Sequence, residues 1–365
     1  MADPRAPRVD GQTIGQVLRE SAQRFGPIEA LVFPQDSFRC TFEEFDRLVD
    51  DVARSLIALG FEHEDHFGVW STNRPAWVLL QFATARVGVV LVTLNPSYRE
   101  YELCYTLKQS DIRGLALIDR FKTSDYLGMI ASLCPELSAS PLGGLRAERF
   151  PRLRWVVSLQ GQAPAGMMGW AEFLEAGRGV SARELARREA RVRPDEPINI
   201  QYTSGTTGSP KGAMLSHRNL LMNGYHAGRN MRIGAGDRIG IPVPLYHCFG
   251  CVLGTIVSVI HGASMVFPHE SFLPGATLDA LEHERCSAIY GVPTMFIAML
   301  EHESYRGRDL SSLRTGIMAG SPCPIELMRK VSSGMGASEI TIGYGQTEAS
   351  PLITQTRWDD PVERR

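Results

Sequence analysis

The sequence predicts an α/β protein built on mostly parallel β-sheet, and three observations carry that reading. Short apolar runs alternate with helical stretches along the chain, as strands joined by helical crossovers do. Several of these runs end directly in small or polar residues, which is how strands end where a parallel sheet opens onto a crevice. The third is size: 365 residues, 44% hydrophobic and 21% charged, suffice for a large core in two or three domains or subdomains.

The first well-marked element is the helix TFEEFDRLVDDVARSLIALG. Thr41 caps it and Glu44 completes a capping box. Phe45, Val49, Val52 and Leu56 form the apolar stripe, and Gly60 ends it. Apolar strand candidates follow at 66–71, 89–95, 113–118 and 153–159. Residues 140–195 interrupt the pattern with SPLGGLRAERFPR and then the charged SARELARREARVRPDEP, expected to be a solvated helix or linker. This break suggests one unit over 1–190 and a second over 191–365. Beyond it the alternation resumes at INIQYTSG, DRIGIPVPLYH, ASMVFPH, CSAIYGVPT, RTGIMAG and EITIGYGQTEAS.

The net charge of −2 gives no electrostatic case for nucleic acid or an anionic membrane as partner. The seven cysteines are scattered and odd in number, so a disulfide framework is not expected and a reducing, cytoplasmic setting is. The first thirteen residues lack the apolar run of a signal peptide. The longest apolar stretch, 251–267, is interrupted by His261 and Gly262 and is too short to span a bilayer.

The densest chemistry lies at YTSGTTGSPKG, residues 202–212. Thr203, Ser204, Thr206, Thr207 and Ser209 bring five hydroxyls, Gly205 and Gly208 permit close backbone approach, and Pro210 precedes the cation of Lys211. The expected order is strand, loop, then a helix capped by Ser216. Many small donors and one ammonium suit a polyphosphate. The segment is not the G-x-x-x-x-G-K-[ST] loop. Counted from Gly205, Pro210 stands where the second glycine belongs, and Gly212 replaces the hydroxyl after the lysine. Read from composition alone, it is also what a surface loop looks like.

YTSGTTGSPKGAMLSHRNL resembles the phosphate-loop signature of the adenylate-forming enzymes, which include acyl-CoA synthetases, luciferases and peptide-synthetase adenylation domains. Within them it looks most like acyl-CoA synthetases of the medium-chain, family-member-2 kind. Two further matches follow in the family's order: RTGIMAGSPCP (314–324) and IGYGQTEAS (342–350). The resemblance implies an N-terminal domain of two stacked αβ subdomains with mostly parallel sheets. It implies ATP phosphates bound at Thr203 through Lys211. Adenine would lie against Ala319, Gly320, Ser321, Gly343, Tyr344 and Gly345, with Thr347 reaching the α-phosphate and Glu348 helping to hold magnesium. His247 would stand beside the incoming carboxylate, and Gly291, Val292 and Thr294 would line the acyl pocket.

The activity so implied is ligation in two half-reactions. A carboxylic acid, expected to be a fatty acid, attacks ATP to give acyl-adenylate and pyrophosphate, and coenzyme A then takes the acyl group. A homodimer is among the expected states. The family carries a ribose-gripping aspartate, a hinge arginine and a C-terminal lid domain with a lysine, none of which matches a position up to Arg365. The chain is therefore expected to be C-terminally truncated, poorly soluble, and weak or silent in adenylation. The alternatives are a nucleotide-binding module without catalysis and an unrelated NTPase.

Three other groups are read without the family. Cys248 and Cys251 are expected to be small core residues on a helix behind the pocket rather than a zinc or redox pair. His63 and His66 are expected in a solvated turn. His217 is expected at the surface at a helix start.

Overall fold

A computed structural model describes residues 9–203 and 210–365. Among them, two sheets carry the architecture. The first has the order Lys211–Ser216, Pro197–Thr203, Val90–Leu94, His66–Trp70, Gly114–Leu117, Trp155–Ser158, Met168–Gly169. It is parallel except for the Lys211–Ser216 edge. The second has the order Leu352–Gln355, Glu339–Gly345, Thr315–Ala319, Ala288–Gly291, Arg238–Gly240, Ser264–Val266, Glu29–Phe33, Phe38–Thr41. It is parallel inside, with an antiparallel strand at each edge. The two sheets exchange segments across residue 190. Glu29–Thr41 joins the later strands, and Pro197–Ser216 joins the earlier ones.

The pleat explains how both faces of each sheet are filled, since successive side chains point oppositely. Leu31 and Phe33 face a central core together with Phe67, Val69 and Leu91 of the other sheet. Their neighbours point away: Trp70, Val92 and Leu94 pack under the helices Glu100–Ser110 and Tyr126–Leu133. On the far side, Val32, Val266 and Met318 pack under Pro274–His283, Pro293–Glu301 and Ile325–Gly334. Helices therefore lie outside both sheets and between them, giving five layers.

The middle layer contains Ile14–Phe25, Phe42–Ala58, Pro75–Val87, His217–Asn230 and Thr255–His261. Phe42–Ala58 begins as the capping box predicts: Thr41 Oγ1 accepts from Glu44 N at 3.2 Å and Glu44 Oε2 from Thr41 N at 2.9 Å. Pro75–Val87 is buried on every side, each residue from Ala76 to Val87 included, as a mostly apolar helix packed between two sheets must be. It stops at Gly88, whose φ of +74° is the left-handed cap that glycine adopts without strain. Each fully buried Leu or Phe of this layer contributes about 1.5–3 kcal/mol.

One charged network is sunk into this layer. Arg86 is fully buried and bonds the Asp50 carboxylate at 2.6 Å, the Asp46 backbone carbonyl at 3.1 Å and the Asp46 carboxylate. Arg19 reaches Asp46, Asp50 and Glu189. Helices from both ends of the first 190 residues are thereby tied together. The charged run after residue 180 is a helix, Ala182–Glu189, but not a merely solvated one. Leu185 and Arg188 are buried, and Arg188 donates to the Phe61 carbonyl at 3.2 Å.

Candidate active site

The carboxyl ends of parallel strands from both sheets meet at a cavity of about 460 Å³. Thr203 closes one strand, and Asn95 follows another. Ala319 and Gly320 end a third, and Gly343 and Gly345 a fourth. Tyr202, Tyr246, His247, Cys248, Phe249, Leu253, Gln346, Thr347, Glu348, Pro351 and Leu352 complete the lining. Ligand crevices of α/β sheets occur at such strand ends.

The hydroxyl-rich segment departs from the expected strand–loop–helix order. Lys211–Ser216 is itself a strand, antiparallel to Pro197–Thr203, and Lys211 lies directly across from Thr203. Thr203, on the cavity, and Lys211 beside it are therefore the two ends between which the hydroxyl-rich residues lie in sequence. Ser204, Gly205, Thr206, Thr207, Gly208 and Ser209 lie outside the described residues. Pro210 is half-buried and Lys211 exposed. Helix His217–Asn230 follows, with Ser216 as its cap: the serine hydroxyl accepts from Asn219 N at 3.2 Å.

On the opposite wall the backbone is bare. Gly320 has φ +89°, and a Cβ there would come within 3.1 Å of Val292 Cγ1. A Cβ on Gly343 would meet Leu352 Cδ2 at 2.7 Å and Ile317 Cδ1 at 2.8 Å. Ala319, Gly320, Gly343 and Gly345 thus leave a flat, small-residue surface. Ser321 is exposed and does not border the cavity, and Tyr344 is 66% exposed, alternating out between Gly343 and Gly345. Gly291 and Val292 sit behind this wall, Val292 against Gly320, while Thr294 is exposed at the start of Pro293–Glu301.

Thr347 and Glu348 occupy a short 3₁₀ turn, Thr347–Ala349, at the cavity mouth. Nothing in the residue pattern signals what holds this turn. Asn223 on helix His217–Asn230 donates to the carbonyls of Ala349 (3.2 Å) and Leu352 (2.9 Å) and accepts from Leu352 N (3.2 Å). Asn73 does the same for the segment leading to His247. Its amide donates to Val243 O at 3.1 Å and accepts from Leu245 N at 2.8 Å. Asparagines inside helices and loops read as surface residues from sequence, and only the tertiary partners reveal their work.

His247 does not end a strand. The strand Arg238–Gly240 stops at residue 240, because Pro242 and Pro244 cannot donate to a ladder. His247 stands seven residues beyond, with its ring on the cavity. His247 is exposed on its cavity side, but the protein around it strips solvent from the ring and lowers its pKa, favouring the neutral imidazole. Phe249 N donates to Nδ1 at 3.1 Å, which leaves Nε2 as the nitrogen that carries the proton.

Cys248 and Cys251 are buried core residues, as expected, around the π-helical turn Phe249–Gly254. Cys248 Sγ lies 3.5 Å from His247 Nδ1 and 3.9 Å from Thr347 Oγ1. Burial pushes the Cys248 thiol up to about 12 and Cys251 well above its ordinary value, so neither is a thiolate at neutral pH. Among the described residues no three His, Cys, Asp or Glu side chains gather to hold a metal.

Three further histidines lie away from the cavity. His217 is fully buried, not at the surface: its Nδ1 accepts from Ile14 N at 3.1 Å, and burial drops its pKa to about 3. His63 pairs with Glu196 at 3.2 Å, and His66 Nδ1 meets Ser110 O at 2.5 Å.

The profile of the family described as AMP-binding enzyme matches residues 18–365. The chain belongs to this family. The Bacillus subtilis protein named acyl-CoA synthetase YngI is 44% identical over 97% of the chain and 64% of its own length. The zebrafish mitochondrial medium-chain acyl-CoA ligase ACSF2 is 41% identical over 98% of the chain and 59% of its own length. The chain therefore spans less than two thirds of these relatives. Among solved structures, the anthranilate CoA ligase AuaEII in complex with anthranoyl-AMP superposes with TM-score 0.83 at 22% identity, over 97% of the chain and 64% of that one. The N-terminal domain of FACL13 from Mycobacterium tuberculosis superposes with TM-score 0.76 at 22% identity, over 97% and 81%. These confirm the expected fold of mostly parallel stacked sheets. No helix of the described residues is long and apolar enough to cross a membrane.

Proposed function

We propose that this chain carries the adenylation site of an acyl-CoA synthetase acting on a fatty acid. The carboxylate attacks the α-phosphorus of ATP and pyrophosphate leaves; the thiol of coenzyme A then displaces AMP to form the thioester. The observation that carries the reading is the convergence on one cavity of Thr203, the bare Ala319–Gly320 and Gly343 wall, Thr347 with Glu348, and His247, with Lys211 paired across from Thr203. The relatives' names, acyl-CoA synthetase and medium-chain acyl-CoA ligase, supply the choice of a fatty acid.

In this reading the turn from Thr203 to Lys211, including Ser204 to Ser209, takes the β- and γ-phosphates through hydroxyls and one ammonium. Adenine lies on the small-residue wall, with Ser321 and Tyr344 at its rim. The Thr347 hydroxyl donates to the α-phosphate. The neutral His247 offers Nε2–H to the incoming carboxylate, which is already ionised and needs no base. Phe249, Leu253 and Cys248 border the acyl chain, and Gly291 and Val292 back the wall from behind. One carboxylate, Glu348, is too little to bind magnesium alone but suits an ion that arrives on phosphate oxygens and keeps its waters. Bound there, magnesium would neutralise phosphate charge. Catalysis is then positioning plus charge stabilisation. The seven free cysteines support a reducing, cytoplasmic setting.

Pyrophosphate release, measured with ATP and a panel of medium- and long-chain fatty acids, tests this. Acid-dependent release is expected, and Lys211→Ala should weaken ATP about tenfold or more, the worth of one charge-assisted contact. ATP binding with no release for any acid would instead establish a nucleotide-binding module, and acid-independent phosphate release an NTPase.

A further inference from the structure

The π-helical turn Phe249–Gly254 is an unusual piece of backbone placed against the cavity, and such turns need an external hold. Thr255 N, which in an α-helix would bond Cys251 O, reaches Gly250 O and Val252 O instead. Cys251 O accepts from Gln81 Nε2 at 2.7 Å and from the Thr255 hydroxyl at 2.5 Å. Gln81 Oε1 in turn accepts from the same hydroxyl at 3.0 Å. Gln201 Nε2 donates to Cys251 Sγ at 3.0 Å. All three polar side chains are buried: Gln81 is 4%, Gln201 2% and Thr255 0% exposed. Burying amides inside an apolar layer costs free energy unless each bond is made, so the placement is specific. Gln81 comes from the fully buried helix Pro75–Val87, and Gln201 from the strand that ends at Thr203.

We infer that Gln81, Gln201 and Thr255 form a positioning clamp that fixes the turn and thereby the cavity wall made by Cys248, Phe249 and Leu253. The clamp rests on the proposed acyl-CoA synthetase reading, since it is the acid side of the cavity that the turn borders. Phe249 is further backed by Tyr290, ring centroids 6.0 Å apart, so a displaced turn moves an aromatic surface rather than a loose chain. Displacing a binding surface by about an ångström is worth tenfold to a hundredfold in rate or affinity. The proposed nucleotide contacts at Gly320 and Gly343 belong to other elements and would stay in place, and Thr347 meets the clamped wall only through Cys248 Sγ, 3.9 Å from its hydroxyl.

The test compares Gln81→Met, Gln201→Met and the near-isosteric Thr255→Val with the parent chain in two assays. The first is pyrophosphate release with KM resolved for fatty acid and for ATP. The second is alkylation of Cys251 by iodoacetamide, followed by mass spectrometry. The clamp predicts that KM for the acid rises about tenfold while KM for ATP stays within about twofold, and that Cys251 labels faster. A stability role alone would lower total active protein without splitting the two KM values. Parallel changes in both, or unchanged Cys251 labelling, overturn the clamp. If the parent chain releases no pyrophosphate with any acid, the functional reading falls. The clamp is then decided by labelling of Cys251 against the equally buried Cys286 of the far core: faster labelling at Cys251 alone upholds it, and unchanged labelling or an equal rise at both overturns it.

Discussion

Asn223 offers the sharpest link between one side chain and the site. It makes three bonds to the segment carrying Thr347 and Glu348: two donated, to Ala349 O and Leu352 O, and one accepted, from Leu352 N. Leucine has nearly the same shape and none of this capacity. In Asn223→Leu the two carbonyls and the amide lose their partners, and each part-buried group left unpaired costs about 1 kcal/mol. The sum is about 2–3 kcal/mol, and it falls on a local turn rather than on the core. Global stability should drop by no more than that, measured as the urea midpoint. ATP affinity, measured by titration calorimetry, should fall about tenfold or more, because the Thr347 hydroxyl is no longer held at the cavity mouth. Asn223→Asp keeps the acceptor for Leu352 N but loses the donors, so it should lie between the parent and leucine. A leucine variant that lost stability and kept its ATP affinity would show the turn to be structural and not part of the nucleotide site.

Two further outcomes follow from the buried polar groups. His217 has its pKa lowered to about 3 in the fold against about 6.5 unfolded, so the unfolded chain binds the extra proton first. The stability that its neutral form contributes is intact above about pH 6.5 and is lost progressively as pH falls toward 3. Between pH 6.5 and 5 the loss is about 2 kcal/mol, and His217→Gln should flatten this limb of a stability-versus-pH curve; an unchanged limb would assign it to other groups. Arg86→Met strips the fully buried guanidinium from Asp46 and Asp50, leaving only the half-exposed Arg19 beside them. Removing one partner of a buried pair costs about 3–5 kcal/mol, readable as a fall in the denaturation midpoint, and a neutral result would show the carboxylates to be well solvated.

Much of this molecule is legible in its residues. Each of the four strand candidates between 66 and 159 is a strand, because parallel strands buried on both faces read as continuous hydrophobic stretches. The cap at Thr41 and that at Ser216 are local chemistry and appear where the sequence puts them. Of the residues expected at the site, Thr203, His247, Ala319, Gly320, Gly343, Gly345, Thr347 and Glu348 border one cavity, while Pro210, Lys211, Ser321, Tyr344, Gly291, Val292 and Thr294 do not line it. What was not legible depends on distant partners. His217 looks like a helix-start surface residue until Ile14, 203 positions away in sequence, is found donating to it. The strand Lys211–Ser216 lacks clean alternation, and it exists because Pro197–Thr203 offers it an edge. Pro242 and Pro244 stop a strand that the apolar pattern alone carries on to His247. Asn73, Gln81, Gln201 and Asn223 are ordinary polar letters, whose roles lie wholly in the backbone they grip.

The most direct measurement is a crystal structure of the chain with a non-hydrolysable ATP analogue. The account predicts a triphosphate cradled by the turn between Thr203 and Lys211, with its α-phosphate toward Thr347 and the base flat against Gly320 and Gly343. A nucleotide bound elsewhere, with Lys211 remote from every phosphate oxygen, would contradict it.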